Sequence, residues 1–201
     1  MVYCTDSGTK QRQKARRTID GRLVRQYLGV SAIAELMLVD EAALVAMPAG
    51  LSFDPAALLG CCLTTGLAAV FNVARPTPGS TVAVFGCGGV GLAAVQAARI
   101  SGAAETIAVD LEPHRRETAN KLGATVTIDP AAGDVTKQIL AVAPGGVDAA
   151  IEAVGLAETA GQAFAVLRPG GQATVLGMMP PGPKFACQRP CCGTVAGSPA
   201  P

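Results

Sequence analysis

The string Gly86-Cys87-Gly88-Gly89-Val90-Gly91 constrains this chain more than any other feature. The apolar run TVAVF precedes it and VGLAAVQAARI continues from it. A G-x-G-x-x-G set between a strand and a helix reads as the first turn of a dinucleotide-binding sheet. Gly86 permits the tight turn, Gly88 lets the backbone approach a pyrophosphate, and Gly91 lets the helix pack closely on the strand. The helix start, with Gly89 and Val90, offers free N–H groups and a positive dipole end to phosphates. Val82 and Val84 share one face of the strand and can point into a core. Asp110 closes the next apolar run, IAVD, at close to the expected spacing of about 20 residues past the last glycine. A carboxylate there hydrogen-bonds the adenosine ribose hydroxyls and repels the extra phosphate of NADP, so NAD is the expected cofactor. Arg115 can line the adenosine side, while His114 reads as an exposed helix residue.

From this turn onward the sequence alternates. Strands are expected at 81–85, 106–109, 125–128, 147–153 and 172–176, with helices over 90–100, 113–122, 134–143 and 157–167. Repeated strand–helix alternation specifies a parallel sheet with helices on both faces. The fold class is therefore α/β, a doubly wound parallel Rossmann sheet of about five strands. Upstream, a helix is expected over 55–74, with Asp54 as its cap and Pro55 in its first turn. Residues 32–46 read as short strands around a turn at Asp40–Glu41. The domain reading is a polar basic segment over 1–30, a segment of short strands over 31–50, the dinucleotide domain over 51–178, and a disordered tail over 179–201.

Composition narrows the chemistry. Half of the 201 residues are apolar, which excludes global disorder. A net charge of +1 gives no global pull toward nucleic acid or an anionic membrane. Basic residues crowd residues 10–25, but no aromatics interleave to stack on bases, so a solvated segment is expected and nucleic acid is not. The apolar stretches 56–74 and 82–98 are long, yet their glycines and polar residues favour a protein core over lipid, so no membrane is expected. The start carries no secretory signal, and the 7 cysteines form no CxxC, so a reduced cytoplasmic protein is expected. The single His nearly excludes a multi-histidine metal site.

The segment LLGCCLTTGLAAVFNVARPTPGSTVAVFGCGGVGLAAVQAARISGAAETIAVD resembles the zinc-dependent medium-chain alcohol dehydrogenases, the glutathione- and mycothiol-linked formaldehyde enzymes included. The resemblance runs from about Gly21 to about Pro181. Its motifs are GC-x-x-x-TG, VFGCGGVGL, AVD, GVDAAIEAVG and LRPGG…VLGM, with AIAELMLVDEAALVAMP matching the end of the family's catalytic domain. It implies that Cys61 is one of three protein ligands of a catalytic zinc and that Thr65 sits by the nicotinamide ring. It implies that Val154 and the Gly177–Met178 segment flank the nicotinamide. The implied reaction is hydride transfer between a small-molecule alcohol or aldehyde and NAD, with zinc polarising the alcohol oxygen. The family's other zinc ligands and proton relay come from an N-terminal domain with no counterpart here. The resemblance also stops before the strand through which the homo-oligomeric family pairs its subunits. Truncation at both ends is the expectation, and a catalytically inactive NAD-binding fragment is the alternative function. An unpaired fifth strand would then favour self-association.

Overall fold

The computed structural model describes residues 17–24, 35–36, 39 and 41–179. The chain forms two compact units, Met1–Ser52 and Phe53–Pro201. The basic residues 1–16 and the tail 180–201 lie outside the described residues.

In the first unit, β1 (Arg17–Ile19) and β2 (Arg22–Val24) form an antiparallel hairpin. Asp20 and Gly21 both take positive φ, 49° and 74°. Two such residues are what the tightest hairpin turn needs, and Asp-Gly adopts it at little cost. The polar composition of this segment hid the hairpin, although its turn signal was in the sequence. The strands expected around Asp40–Glu41 are not formed among the described residues. Glu41–Ala43 is instead a 3-10 turn, closed by Leu44 N–H donating to the Glu41 carbonyl at 3.1 Å. Leu44 and Val45 beyond it are exposed, so the apolar pattern there buries nothing that would hold a strand in place.

The second unit opens with a continuous helix, α1 (Phe53–Ala74). It begins at Phe53 rather than after Asp54. Pro55 falls inside the first turn, where its missing N–H costs no helical bond. By length and composition alone α1 could cross a membrane. Here Gly66, Ala69 and Val70 are buried, and Gly66 meets the next helix.

Strands and helices then alternate: β3 (Thr81–Phe85), α2 (Gly89–Ile100), β4 (Glu105–Val109), α3 (Pro113–Leu122), β5 (Val126–Ile128), α4 (Val135–Val142), β6 (Val147–Glu152), α5 (Ala157–Ala165) and β7 (Leu167–Val175). The five strands of this sheet are parallel, in the order β5-β4-β3-β6-β7. The order reverses direction at β3, which pairs with both β4 and β6, and in open α/β sheets the crevice outside the strands' carboxyl ends at that point is where ligands bind.

Both sheet faces are buried, which is why the strands read as unbroken apolar runs. Val82, Val84, Ala108 and Ile151 pack with Val95, Ala98 and Ala119 on one face. Phe85, Ile107, Ile139, Phe164 and Val166 fill the other. Burying each of the large side chains contributes about 1.5–3 kcal/mol. At the amino ends of the strands, the Asp148 carboxylate ties three of them together. It accepts from Thr81 N–H at 2.7 Å and from Arg168 Nε at 2.6 Å. Burial alone would raise this acid, but those two donors outweigh it and hold Asp148 below the usual carboxylate range.

α5 and β7 differ from expectation. The helix stops at Ala165, and the strand reaches back to Leu167, which pairs with Val147. The register then shifts before Ala149 meets Gln172. The segment Arg168-Pro169-Gly170-Gly171, expected as a turn before the strand, is an irregularity within it. Gly170 supplies the positive φ of 78° that this needs.

Candidate functional site

The carboxyl ends of four strands meet at the switch point. Gly86 N–H donates to the Val109 carbonyl at 2.8 Å, Ala153 N–H to Phe85 O at 2.9 Å, and Leu176 N–H to Glu152 O at 2.8 Å. Gly86 leaves β3 with φ +88°. A β-carbon on it would lie 2.7 Å from Val154 Cγ2, and one on Gly91 would run into the Gly86 carbonyl oxygen. The two outer glycines therefore let strand, turn and helix approach one another. Gly88 serves differently: a β-carbon there would meet nothing, so its bare backbone faces open space. It precedes α2 in an extended conformation, and no side chain caps the helix that Gly89 and Val90 begin. An uncapped helix start behind an exposed glycine turn is fitted to hold an anionic group.

Asp110 follows β4 directly and is buried beside this turn. Oδ2 accepts from Cys87 N–H at 2.7 Å and Oδ1 from Glu112 N–H at 2.9 Å. The carboxylate thus braces the glycine turn as well as standing at its expected place. Its remaining lone pairs stay available to hydroxyl donors. Arg115 is half-exposed, with Nη1 3.9 Å from Asp110 Oδ2. Arg116, which sequence reasoning passed over, is the more deeply held neighbour. It pairs with Asp129 at 2.9 Å and donates to the Asp110 carbonyl at 2.7 Å. His114 lies exposed on α3, as expected. The Cys87 thiol is fully buried, and burial together with the Asp110 charge pushes its pKa up to about 12.

The motif GC-x-x-x-TG lies in α1, where the helix loosens into a π-helical turn, Leu59–Leu63. Such turns recur at functional sites. Cys61 is exposed on it, and Thr65 is half-buried one turn further on. Gly66 shows why the motif ends in glycine: a β-carbon there would strike the Val90 carbonyl and Ala93. Cys62 sits with its sulfur against Gly89, which brings α1 to the start of α2.

Opposite the glycine turn lie Val154 and Met178, both exposed at the ends of β6 and β7. Between them is a residue the sequence reading did not single out, Glu152, which is fully buried. Its Oε1 accepts from Val154 N–H at 2.9 Å, Gly155 N–H at 2.7 Å and the Thr159 hydroxyl at 2.8 Å. A glutamate inside the apolar run VDAAIEAVG was the signal that could have found it, since an unpaired acid is rarely buried. The structure thus gathers Gly86, Gly88, Gly89, Val90, Gly91, Asp110, Val154 and Met178 at one edge of the sheet. Arg115 stands at its rim.

The zinc expectation finds less support. A catalytic zinc takes three protein ligands. Among the described residues no group of three His, Cys, Asp or Glu side chains stands close enough to hold a metal ion, so Cys61 has no companion ligands there. The described residues alone do not fit the metal.

The sheet order and glycine turn define a doubly wound α/β domain of the Rossmann type. Comparison makes this specific: residues 89–192 match the family model for zinc-binding dehydrogenases. The chain belongs to the zinc-type medium-chain alcohol dehydrogenase family. Among curated relatives, an alcohol dehydrogenase of Malus domestica is 40% identical over 165 residues, covering 81% of this chain and 43% of that protein. An alcohol dehydrogenase-like protein of Arabidopsis thaliana is 39% identical over 178 residues, covering 86% and 46%. Benzyl alcohol dehydrogenase from Acinetobacter calcoaceticus superposes with a TM-score of 0.68 at 34% identity, over 71% of this chain and 39% of that one. A structure from Sinorhizobium meliloti 1021, described as a zinc-binding dehydrogenase bound to NADP, gives 0.57 at 39% identity, over 62% and 36%. The chain therefore spans about two fifths of the length of the relatives it matches.

Proposed function

We propose that this chain carries the coenzyme-binding part of an NAD-dependent alcohol dehydrogenase that acts on small-molecule alcohols or aldehydes. The observation that carries this reading is Asp110, buried at the carboxyl end of β4 with its carboxylate hydrogen-bonded to the glycine turn. A fixed negative charge at that point favours ribose hydroxyls and disfavours a ribose phosphate. In this reading the exposed backbone of Gly88 and Gly89 and the uncapped start of α2 hold the pyrophosphate. Arg115 borders the adenosine, and Thr65, Val90, Val154 and Met178 line the nicotinamide end. The bound coenzyme supplies the hydride acceptor. The free thiols Cys61, Cys62 and Cys87 suit a reducing compartment, and we place the protein in the cytoplasm.

Isothermal calorimetry tests the assignment. NAD is expected to bind more tightly than NADP, and Asp110→Ala to weaken NAD by about tenfold or more, the loss of one charge-assisted hydrogen-bonding group. An unchanged NAD affinity in that variant overturns it. The lack of companion ligands around Cys61 among the described residues favours a second reading, in which the chain holds coenzyme without oxidising alcohol by itself. Alcohol-dependent formation of NADH by the purified chain with added zinc, at rates ordinary for dehydrogenases, would rule that reading out.

A further inference from the structure

Glu152 is fully buried at the ligand-facing end of β6, yet neither the glycine turn nor Asp110 makes use of it. Three features set it apart. First, Oε1 alone gathers two backbone N–H groups, those of Val154 and Gly155, and the Thr159 hydroxyl of α5. One oxygen thus fixes both the turn that leaves β6 and the helix that follows. Second, Oε2 is buried with no hydrogen-bond partner among the described residues and lies against the segment that follows β7. A β-carbon on Gly177 would stand 2.8 Å from it. Third, the parts it touches form two walls. Val154 leans on Gly86 of the glycine turn, and a β-carbon on Gly155 would come within 2.9 Å of the Met178 carbonyl. The side chain therefore sets the height of the Val154–Gly155 turn and the approach of the Gly177–Met178 segment together.

We infer that Glu152 is a positioning residue for the nicotinamide end of the coenzyme site, spacing the Val154–Gly155 turn and the Gly177–Met178 segment through its two carboxylate oxygens. The inference rests on the NAD reading above. It assigns Glu152 no contact with coenzyme or substrate. Its effect is confined to one half of the ligand, because the adenosine half is held from β4 and α3, which Glu152 does not touch.

That confinement supplies the test. ADP-ribose has every part of NADH except the nicotinamide. Binding of both to the full chain is measured by calorimetry, together with the fluorescence of bound NADH, which reports how rigidly the nicotinamide is held. Glu152→Ala is expected to weaken NADH by about tenfold while ADP-ribose stays within about twofold, and to abolish the fluorescence enhancement. Glu152→Gln keeps the accepting Oε1 and is expected to restore NADH binding. Thr159→Ala removes one of the gathered donors and leaves the strand intact, so it decides the matter if Glu152→Ala does not fold. It is expected to weaken NADH alone, by about threefold. Parallel loss of both ligands, no loss of either, or failure of Glu152→Gln to rescue would overturn the inference and leave the NAD reading standing. So would a wild-type chain that binds ADP-ribose as tightly as NADH. A wild-type chain that binds neither ligand overturns the NAD reading, and the inference falls with it.

Discussion

Two strand-to-helix turns face each other across the switch point, and they solve the same problem by opposite means. The turn from β3 into α2 is built by omission: glycines bring the backbones together, and no side chain caps the helix. The turn from β6 into α5 is built by addition: a buried carboxylate collects the N–H groups that would otherwise be stranded. The difference follows from what each must leave open. A turn that receives an anion must leave the start of its helix uncapped, so the Asp110 carboxylate takes an N–H earlier in the turn, at Cys87, and none at the start of α2. The turn after β6 carries no such requirement, so its donors can be satisfied internally and its shape fixed more firmly.

The sharpest way to break the comparison is at Gly91. A β-carbon there collides with the Gly86 backbone, which no rotamer change relieves. Gly91→Val is expected to cost more than about 3 kcal/mol, the upper range for overpacking, and to reduce folded yield severely. Urea denaturation monitored by circular dichroism measures it. Glu152→Ala should cost less, about 1–3 kcal/mol, because the fold survives but three donors lose their acceptor. Equal losses in the two variants would show that the two turns do not differ as described.

The same contrast decides what could be read from sequence. The turn built of glycines was legible, because each glycine is a spacing requirement written directly into the chain, and Asp110 confirmed it at a fixed distance. The α/β alternation was legible because strands buried on both faces must be continuously apolar. What escaped were features set by tertiary partners. Glu152 looks in sequence like a charge at the end of a strand, and only the fold shows its Oε1 collecting donors from three residues. The bulged start of β7 escaped because Arg168-Pro169-Gly170-Gly171 satisfies a turn and a strand irregularity equally well. The hairpin at Asp20–Gly21 was lost under its charge, and the apolar residues of 32–46 around Asp40–Glu41 suggested short strands that the described residues do not form.

A second carboxylate on β6 extends the comparison along a single strand. Asp148, at the far end from Glu152, is partly exposed and shares its donors between Thr81 and Arg168. Because its folded-state pKa is depressed, its contribution to stability is present above the ordinary carboxylate value of about 4 and is lost as pH falls through the lower native value. Asp148→Asn is therefore expected to destabilise by about 1 kcal/mol at pH 7 and to approach the wild type as pH falls below the depressed native value, which thermal melts over the acid range will show. A gap between the two proteins that persists undiminished at low pH would mean that Asp148 acts by shape and not by charge.

The smallest effect belongs to Cys87, the one side chain placed inside the glycine turn whose burial resembles that of Glu152. Burial, and secondly the Asp110 charge, raise its pKa to about 12. The thiolate is the reactive form. At pH 8 the buried thiol in the folded protein should therefore react with iodoacetamide at least about tenfold more slowly than the exposed thiol of Cys61, a ratio that peptide mass spectrometry resolves. The sign of the linked stability follows. The unfolded chain ionises Cys87 near its ordinary value of 9.0 and the folded chain does not, so stability falls as pH rises from there toward 12. Cys87→Ala should remove that slope at the cost of a small cavity and leave NAD affinity nearly unchanged, because it is the backbone N–H of this residue, not its sulfur, that reaches Asp110. Rapid alkylation of Cys87 in the folded chain would mean that the glycine turn opens far more readily than the turn held by Glu152, and that building by omission costs rigidity as well as side chains.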